Sequence, residues 1–268
     1  SFTFFATAEV IALVGAIPVF VDIDELTYNI CPQKLEQSIA EHQDSKKGSP
    51  KAIIAVDLFG QPANYPEIER IAKDNNLYLI EDAAQGFGGE INGRKSCSFG
   101  DIATTSFFPA KPLGCYGDGG ALFTNDDELA SILKSLRIHG KGIDKYDNVR
   151  VGLNSRLDTM QAAILLEKFS IFPEEVERRN TIANAYTEAL LDHCIVPLVS
   201  EGYGSSWAQY TVRHKTLSRA KLLETFKDKS IPAAIYYPVG IHRSDAFKGK
   251  GPDEVHLKVT DKVQEEVF

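Results

Sequence analysis

One lysine sits where a lysine can do chemistry. Residues 106–120 read Ser-Phe-Phe-Pro-Ala-Lys-Pro-Leu-Gly-Cys-Tyr-Gly-Asp-Gly-Gly, an apolar run ending in a proline-bounded turn that carries Lys111 and then four glycines. A backbone this bare lets something approach closely. An amine held at such a strand end and partly desolvated gives up its proton more readily and can attack an aldehyde carbon. The alternative is a solvated lysine in a glycine-rich loop, which for a lysine taken alone is the commoner case. The glycines do not have the G-x-G-x-x-G spacing of a dinucleotide site and do not open a helix.

The neighbouring stretch bears on that choice. Residues 77–86 read Leu-Tyr-Leu-Ile-Glu-Asp-Ala-Ala-Gln-Gly, an apolar strand that delivers Asp82 to the same edge, followed by small residues that admit a flat ring. A carboxylate there can keep a pyridine nitrogen protonated, so that the ring withdraws electrons from a carbanion, the service a protein performs for pyridoxal phosphate. Taken alone, Asp82 equally suits the N-cap of a following helix.

The elements that must position these residues follow from the hydrophobic pattern. Short runs rich in Val, Ile and Phe at 18–21, 52–56, 77–80 and 102–108 end in polar residues or a turn and predict buried strands. Segments with apolar residues three and four apart, at 32–40, 65–74 and 126–137, predict helices between them. This alternation predicts an α/β domain, and in such sheets ligands sit beyond the carboxyl ends of the strands, where Asp57, Asp82 and the turn after Phe108 converge. At 159–169 and 174–192 the pattern becomes two long helices parted by Pro173. A large domain over 1–170 and a small α+β domain over 171–268 are therefore expected, the second with strands at 209–214 and 233–237 around a helix at 219–229. The polar stretch 42–50 is the nearest thing to a linker.

With 268 residues, two domains fit the length, and 43% hydrophobic with 25% charged residues are ordinary globular values. A net charge of -8, a pI near 5.3 and scattered Lys and Arg argue against a nucleic-acid partner. No apolar run is long enough to cross a bilayer, and the opening Ser1-Phe2-Thr3-Phe4-Phe5 lacks the features of a signal peptide, so a cytoplasmic protein with no membrane partner is expected. Cys31, Cys97, Cys115 and Cys194 lie far apart without ligand spacing, which predicts no metal site and buried or idle thiols.

Four ordered motifs carry a resemblance: EDAAQ at 81–85, SFFPAK at 106–111, GDGGA at 117–121 and GLNSRLDTMQAA at 152–163. With the opening SFTFFATAEVIALVGAIPVFVDID and the late IPAAIYYPVGIH, essentially the whole chain resembles the sugar-nucleotide aminotransferase family of the DegT/DnrJ/StrS type. The resemblance implies the fold of type I pyridoxal-phosphate-dependent transferases: a large domain with a mostly parallel sheet flanked by helices, and a smaller C-terminal α+β domain. It implies that Lys111 holds pyridoxal 5'-phosphate as a Schiff base and shuttles protons. Asp82 and Gln85 would contact the pyridine nitrogen and the phenolic oxygen, Ser106 the phosphate, and Phe4 the ring face. Asn154 would reach the phosphate of the neighbouring subunit's cofactor, which implies a homodimer with shared active sites. On the residues alone, Gln85 and Ser106 also suit turns, Phe4 the core, and Asn154-Ser155 the start of a helix.

His139, Tyr237 and His242 are candidate substrate contacts, each equally readable as a surface or core residue, and Arg156 suits an acidic substrate or an ion pair with Asp158. The family's reaction implies an amino group taken from glutamate and given to a keto sugar nucleotide. Residues 139–159 and 231–242 resemble most the members that aminate the 3-keto group of a UDP-linked N-acetylhexosamine uronic acid for surface polysaccharide. A sugar dehydratase on the same fold is one alternative, against which Lys111 argues because family dehydratases carry His there. A non-catalytic regulatory homologue is another, against which Lys111, Asp82, Gln85 and Ser106 argue together. Family members also carry a Ser-Gly-Thr turn and a helix before the equivalent of Ser1 and continue past that of Phe268, so the resemblance implies truncation at both ends.

Overall fold

The computed structural model describes residues 1–43, 48–144, 146–248 and 257–268. In chain order these form α1 (Ala6–Leu13), α2 (Pro32–His42), β1 (Ala52–Val56), α3 (Tyr65–Asp74), β2 (Tyr78–Asp82), β3 (Glu90–Ile91), β4 (Arg94–Lys95), β5 (Ile102–Ser106), β6 (Gly120–Phe123) and α4 (Asp127–Leu136). They continue with α5 (Thr159–Leu190), β7 (Cys194–Ile195), β8 (Tyr203–Gly204), β9 (Arg213–His214), α6 (Arg219–Asp228) and α7 (Lys258–Glu266). The fold is the mixed α/β one expected, with a mostly parallel sheet and helices.

The main sheet has the order β1-β2-β5-β6: the first three strands are parallel and β6 runs antiparallel to β5. On one side, Leu35 and Ile39 of α2 and Ile68 and Ile71 of α3 pack on Ile53, Ala55 and Leu79 of the strands. Burial of such side chains stabilises each by roughly 1.5–3 kcal/mol. Tyr65 and Phe99 stack within this layer at 4.4 Å. A second cluster, Phe107, Leu113, Cys115, Leu165 and Phe172, ties the chain after β5 to α5.

Several expectations differ from the structure. Residues 18–21 form no strand, since only the bridge Ile23–Ile30 pairs that segment. β5 ends at Ser106, because the carbonyl of Phe107 accepts from the Cys115 amide (2.8 Å) within the following turn and so leaves the ladder. Residues 233–237 form no strand, and 209–214 shortens to β9. The two long helices are one, α5, running through Pro173, so the domain junction expected at 170 falls inside a helix. An interior proline costs about 3 kcal/mol. Just before the proline Phe172 is buried against Phe87, with ring centroids 5.5 Å apart, and just after it Glu174 pairs with Arg178 at 2.6 Å. Of the stretch 42–50, residues 44–47 lie outside the described residues.

Long-range polar pins join the ends of the chain. Asp22 accepts from the amides of Val259 and Thr260 (2.9 Å each) and from the Thr260 hydroxyl (2.8 Å), supplying the first turn of α7 with its acceptor. Arg213, 1% exposed, bridges Glu25 and Glu266 at 2.9 and 3.0 Å.

Candidate active site

Parallel pairing brings three polar strand ends to one edge. Val56 sits opposite Asp82 and Asp82 opposite Thr104, so the residues that follow β1, β2 and β5 emerge together. They do not become equivalent. Asp57 is wholly enclosed and its carboxyl accepts from the hydroxyls of Tyr65 and Ser96 at 2.8 Å each. Glu81 points to the same interior and accepts from the amides of Cys97 (2.6 Å) and Phe99 (2.8 Å). Burial, then the charge of Glu81, pushes the Asp57 carboxyl well above the usual carboxylate range; burial also raises Glu81, against the pull of its two amides. Donors surround both carboxyls, and burial raises both, Asp57 the further. Asp57, expected at the ligand edge, is thus a structural acid beneath it.

Lys111 stands on a tight turn in which its amide donates to the carbonyl of Phe108 at 2.8 Å. The turn needs Gly114, where a Cβ would lie 2.6 Å from the Phe108 carbonyl oxygen. The lysine is half-buried and its amine has no hydrogen-bond or ion-pair partner among the described residues. Burial lowers its basicity, and the Asp82 carboxylate pulls the other way. Arg179 of α5 donates to the carbonyl of Pro112, next to this turn, at 3.3 Å.

Asp82 accepts from the Thr7 hydroxyl at 2.7 Å and from the Ala84 amide at 3.2 Å. No helix follows it, so it closes a turn and is not a helix cap. Gln85 is buried, accepting from the Phe59 amide (2.7 Å) and donating to the Tyr237 hydroxyl (2.9 Å), which leaves one of its N–H bonds unspent. Phe59 meets it from a left-handed backbone, φ 60°. Ser106 accepts from the Phe108 amide at 3.2 Å and keeps its own proton. Phe4 is 58% exposed, with its ring 6.5 Å from that of Tyr237, so it is not core. Burial pushes the Tyr237 phenol up to about 12.

The other candidates lie apart from this group. Asn154 is exposed and accepts from Arg156 at 2.9 Å; Arg156 makes no ion pair with Asp158, which caps α5 by accepting from the Met160 amide at 2.8 Å. The helix therefore does not start at Asn154. His139 is exposed and left-handed (φ 55°), its backbone holding the 139–153 loop through Leu153 and Asn148. The His242 ring is 1% exposed and its Nε2 lies 3.0 Å from Asp261, a pairing inside the fold and not a side chain presented to a substrate. Thr7 carried no signal in the sequence, since a threonine in a helix of small residues has no spacing that points to a carboxylate on a strand.

A cavity of about 990 Å³ lies elsewhere, between residues 10–21 and the α2/β1 layer, and is mostly apolar. Neither Lys111 nor Asp82 lines it, and it meets the site only at Thr7, so the chemistry is assigned by side chains and not by volume. Among the described residues no group of three or more His, Cys, Asp or Glu could hold a metal ion, and no helix is long and apolar enough to cross a membrane. An unpaired, half-buried amine, a carboxylate with free lone pairs, a spare amide N–H and a spare hydroxyl proton fit a pyridine aldehyde carrying a phosphate.

Residues 1–268 match the model of the DegT/DnrJ/EryC1/StrS aminotransferase family. The chain is 45% identical over 268 residues to a Pseudomonas aeruginosa UDP-2-acetamido-2-deoxy-3-oxo-D-glucuronate aminotransferase, covering all of this chain and 71% of that protein. It is 43% identical over 272 residues to a pleiotropic regulatory protein of Geobacillus stearothermophilus, covering all of this chain and 70% of that one. The crystal structure of an aminotransferase of this type from Brucella abortus superposes with a TM-score of 0.95 at 49% identity, covering 99% of this chain and 71% of the other.

Proposed function

This chain belongs to the DegT/DnrJ/EryC1/StrS aminotransferase family, and from that premise we propose that it moves an amino group from glutamate to a keto sugar nucleotide, a UDP-linked 3-keto hexosamine uronic acid. It is a pyridoxal-phosphate-dependent aminotransferase. The observation that carries the site assignment is the half-buried, unpaired Lys111 amine beside the Asp82 carboxylate at the strand ends. The substrate rests on the 45% identity to the Pseudomonas aeruginosa enzyme.

When bound, the cofactor supplies an electron-withdrawing ring that carries the amino group between donor and acceptor. The chain's own residues supply the rest. Lys111, made less basic by burial, would hold the cofactor's aldehyde carbon through its amine, with water as the leaving group, and would take and return a proton at the substrate carbon. Asp82 would hold the ring nitrogen, and its charge would keep that nitrogen protonated. Gln85, fixed at both ends by Phe59 and Tyr237, offers its remaining N–H to the phenolic oxygen. Ser106 donates to the phosphate, and Phe4, exposed beside Tyr237, covers the ring face.

Asn154 reaches the phosphate across a homodimer. It lies in a loop with Val151 98% exposed and Leu153 71% exposed, and contiguous apolar exposure of this kind marks a protein interface. His139 and Arg156, on the same stretch, would be substrate contacts.

The test is an absorbance spectrum of the full-length protein with added pyridoxal phosphate, repeated with glutamate, then with UDP-linked 3-keto sugar, and for Lys111→Ala. A visible band that glutamate bleaches and the keto sugar restores, absent in the variant, supports the reading. A full-length protein that forms no such band would point instead to a regulatory homologue.

A further inference from the structure

We infer that Thr7 is a positioning residue for the reaction, its hydroxyl fixing the Asp82 carboxylate on which the cofactor's ring nitrogen rests. The inference deepens the reading of Asp82 given above and depends on it. The Thr7 hydroxyl donates to Asp82 Oδ2 at 2.7 Å, a length typical of a hydroxyl bonded to a charged acceptor. Among the described residues the other oxygen, Oδ1, has only the Ala84 amide at 3.2 Å. The terminal torsion of an aspartate is broad, so a carboxylate at a strand end swings unless something holds it. Here one short bond from one side does so.

Three features make this bond a directed one. Thr7 is the second residue of α1, a position with no preceding helical turn whose carbonyl could take the hydroxyl proton. Instead its proton goes to Asp82, 75 residues away in sequence. The Thr3 hydroxyl lies 3.3 Å from that of Thr7, and because the single Thr7 proton is spent, Thr7 can only accept from Thr3. The chain of donors therefore runs Thr3 to Thr7 to Asp82. Finally, α1 itself is anchored: Ala8 is buried with Ile241 and Phe247, and the rings of Phe5 and Phe247 lie 5.3 Å apart. The bond is held by a part of the fold that the Asp82 strand does not build.

The experiment titrates full-length Thr7→Val, Thr7→Ser, Asp82→Asn and the Thr7→Val/Asp82→Asn double variant with pyridoxal phosphate, following the visible band, and melts each protein without cofactor. Thr7→Val keeps the β-branch and loses the donor, so the dissociation constant rises about tenfold while the cofactor-free melting temperature stays with the parent. Thr7→Ser restores binding to within about twofold, and in the Asp82→Asn background Thr7→Val adds nothing. An unchanged constant in Thr7→Val, a serine variant as poor as the valine, or the same loss in both backgrounds would each overturn the positioning role. If Asp82→Asn itself leaves binding and band unchanged, the reading of Asp82 fails and the inference with it.

Discussion

The carboxamide nitrogen of Gln85 lies 2.9 Å from the hydroxyl of Tyr237, 152 residues further along the chain. Gln85 belongs to the loop after β2 and Tyr237 to the irregular stretch between α6 and α7, so this hydrogen bond, with that from the Ser206 hydroxyl to the Gln85 carbonyl (3.0 Å), joins the late part of the chain to the site. Tyr237→Phe keeps the ring against Phe2 and Phe4 but leaves a buried amide donor short of an acceptor. An unpaired buried group of this kind costs about 1–3 kcal/mol. We expect a lower melting temperature and a comparable loss in cofactor affinity, measured by thermal unfolding with and without pyridoxal phosphate. Equal stability and equal affinity would show that Gln85 is held by Phe59 alone.

Lys111 reacts as the neutral amine, and burial shifts its titration downward. Attachment of pyridoxal phosphate should therefore reach its full rate below the pH of an ordinary lysine, whose value is about 10.4. Stopped-flow absorbance across pH measures this, and a midpoint at the ordinary value would mean that the amine is solvated. Replacement by alanine should lower turnover by roughly 10²–10⁴-fold or more.

Asp57 gives a stability signature. Burial and the Glu81 charge raise its carboxyl in the fold, so the folded state keeps this proton to higher pH than the unfolded chain does. That contribution is fully present below the ordinary value and is lost as pH rises through the raised one. Asp57→Asn, shaped like the protonated acid, should therefore gain melting temperature relative to the parent as pH rises above the ordinary carboxylate value. Parallel curves for the two proteins would place the charge on Asp57 and not on Glu81.

Phe4 is exposed enough that its loss should spare the fold. Phe4→Ala is expected to leave the cofactor-free melting temperature unchanged and to weaken pyridoxal phosphate binding by about three- to tenfold, the worth of one ring contact. A fluorescence titration decides, and a destabilised protein with normal affinity would return Phe4 to a packing role.

What the sequence determined alone is local and repetitive. Buried parallel strands are unbroken apolar runs, so 52–56, 77–80 and 102–108 announced β1, β2 and β5, and strand ends in a parallel sheet share one edge, so Asp82 and the Lys111 turn could be placed together before any coordinates. The bare glycines after Lys111 told of close backbone approach, and Gly114 against Phe108 shows it. What only the tertiary structure decided is partnership and enclosure. Asp57 and Asp82 follow their strands in the same way, yet one is wholly enclosed between Tyr65 and Ser96 and the other stays at the open edge beside Thr7. His242 looked like Tyr237 in the same motif, yet it turns to Asp261 while Tyr237 turns to Gln85. Such choices depend on which distant segment arrives within about 3 Å, and no periodicity along the chain encodes that distance.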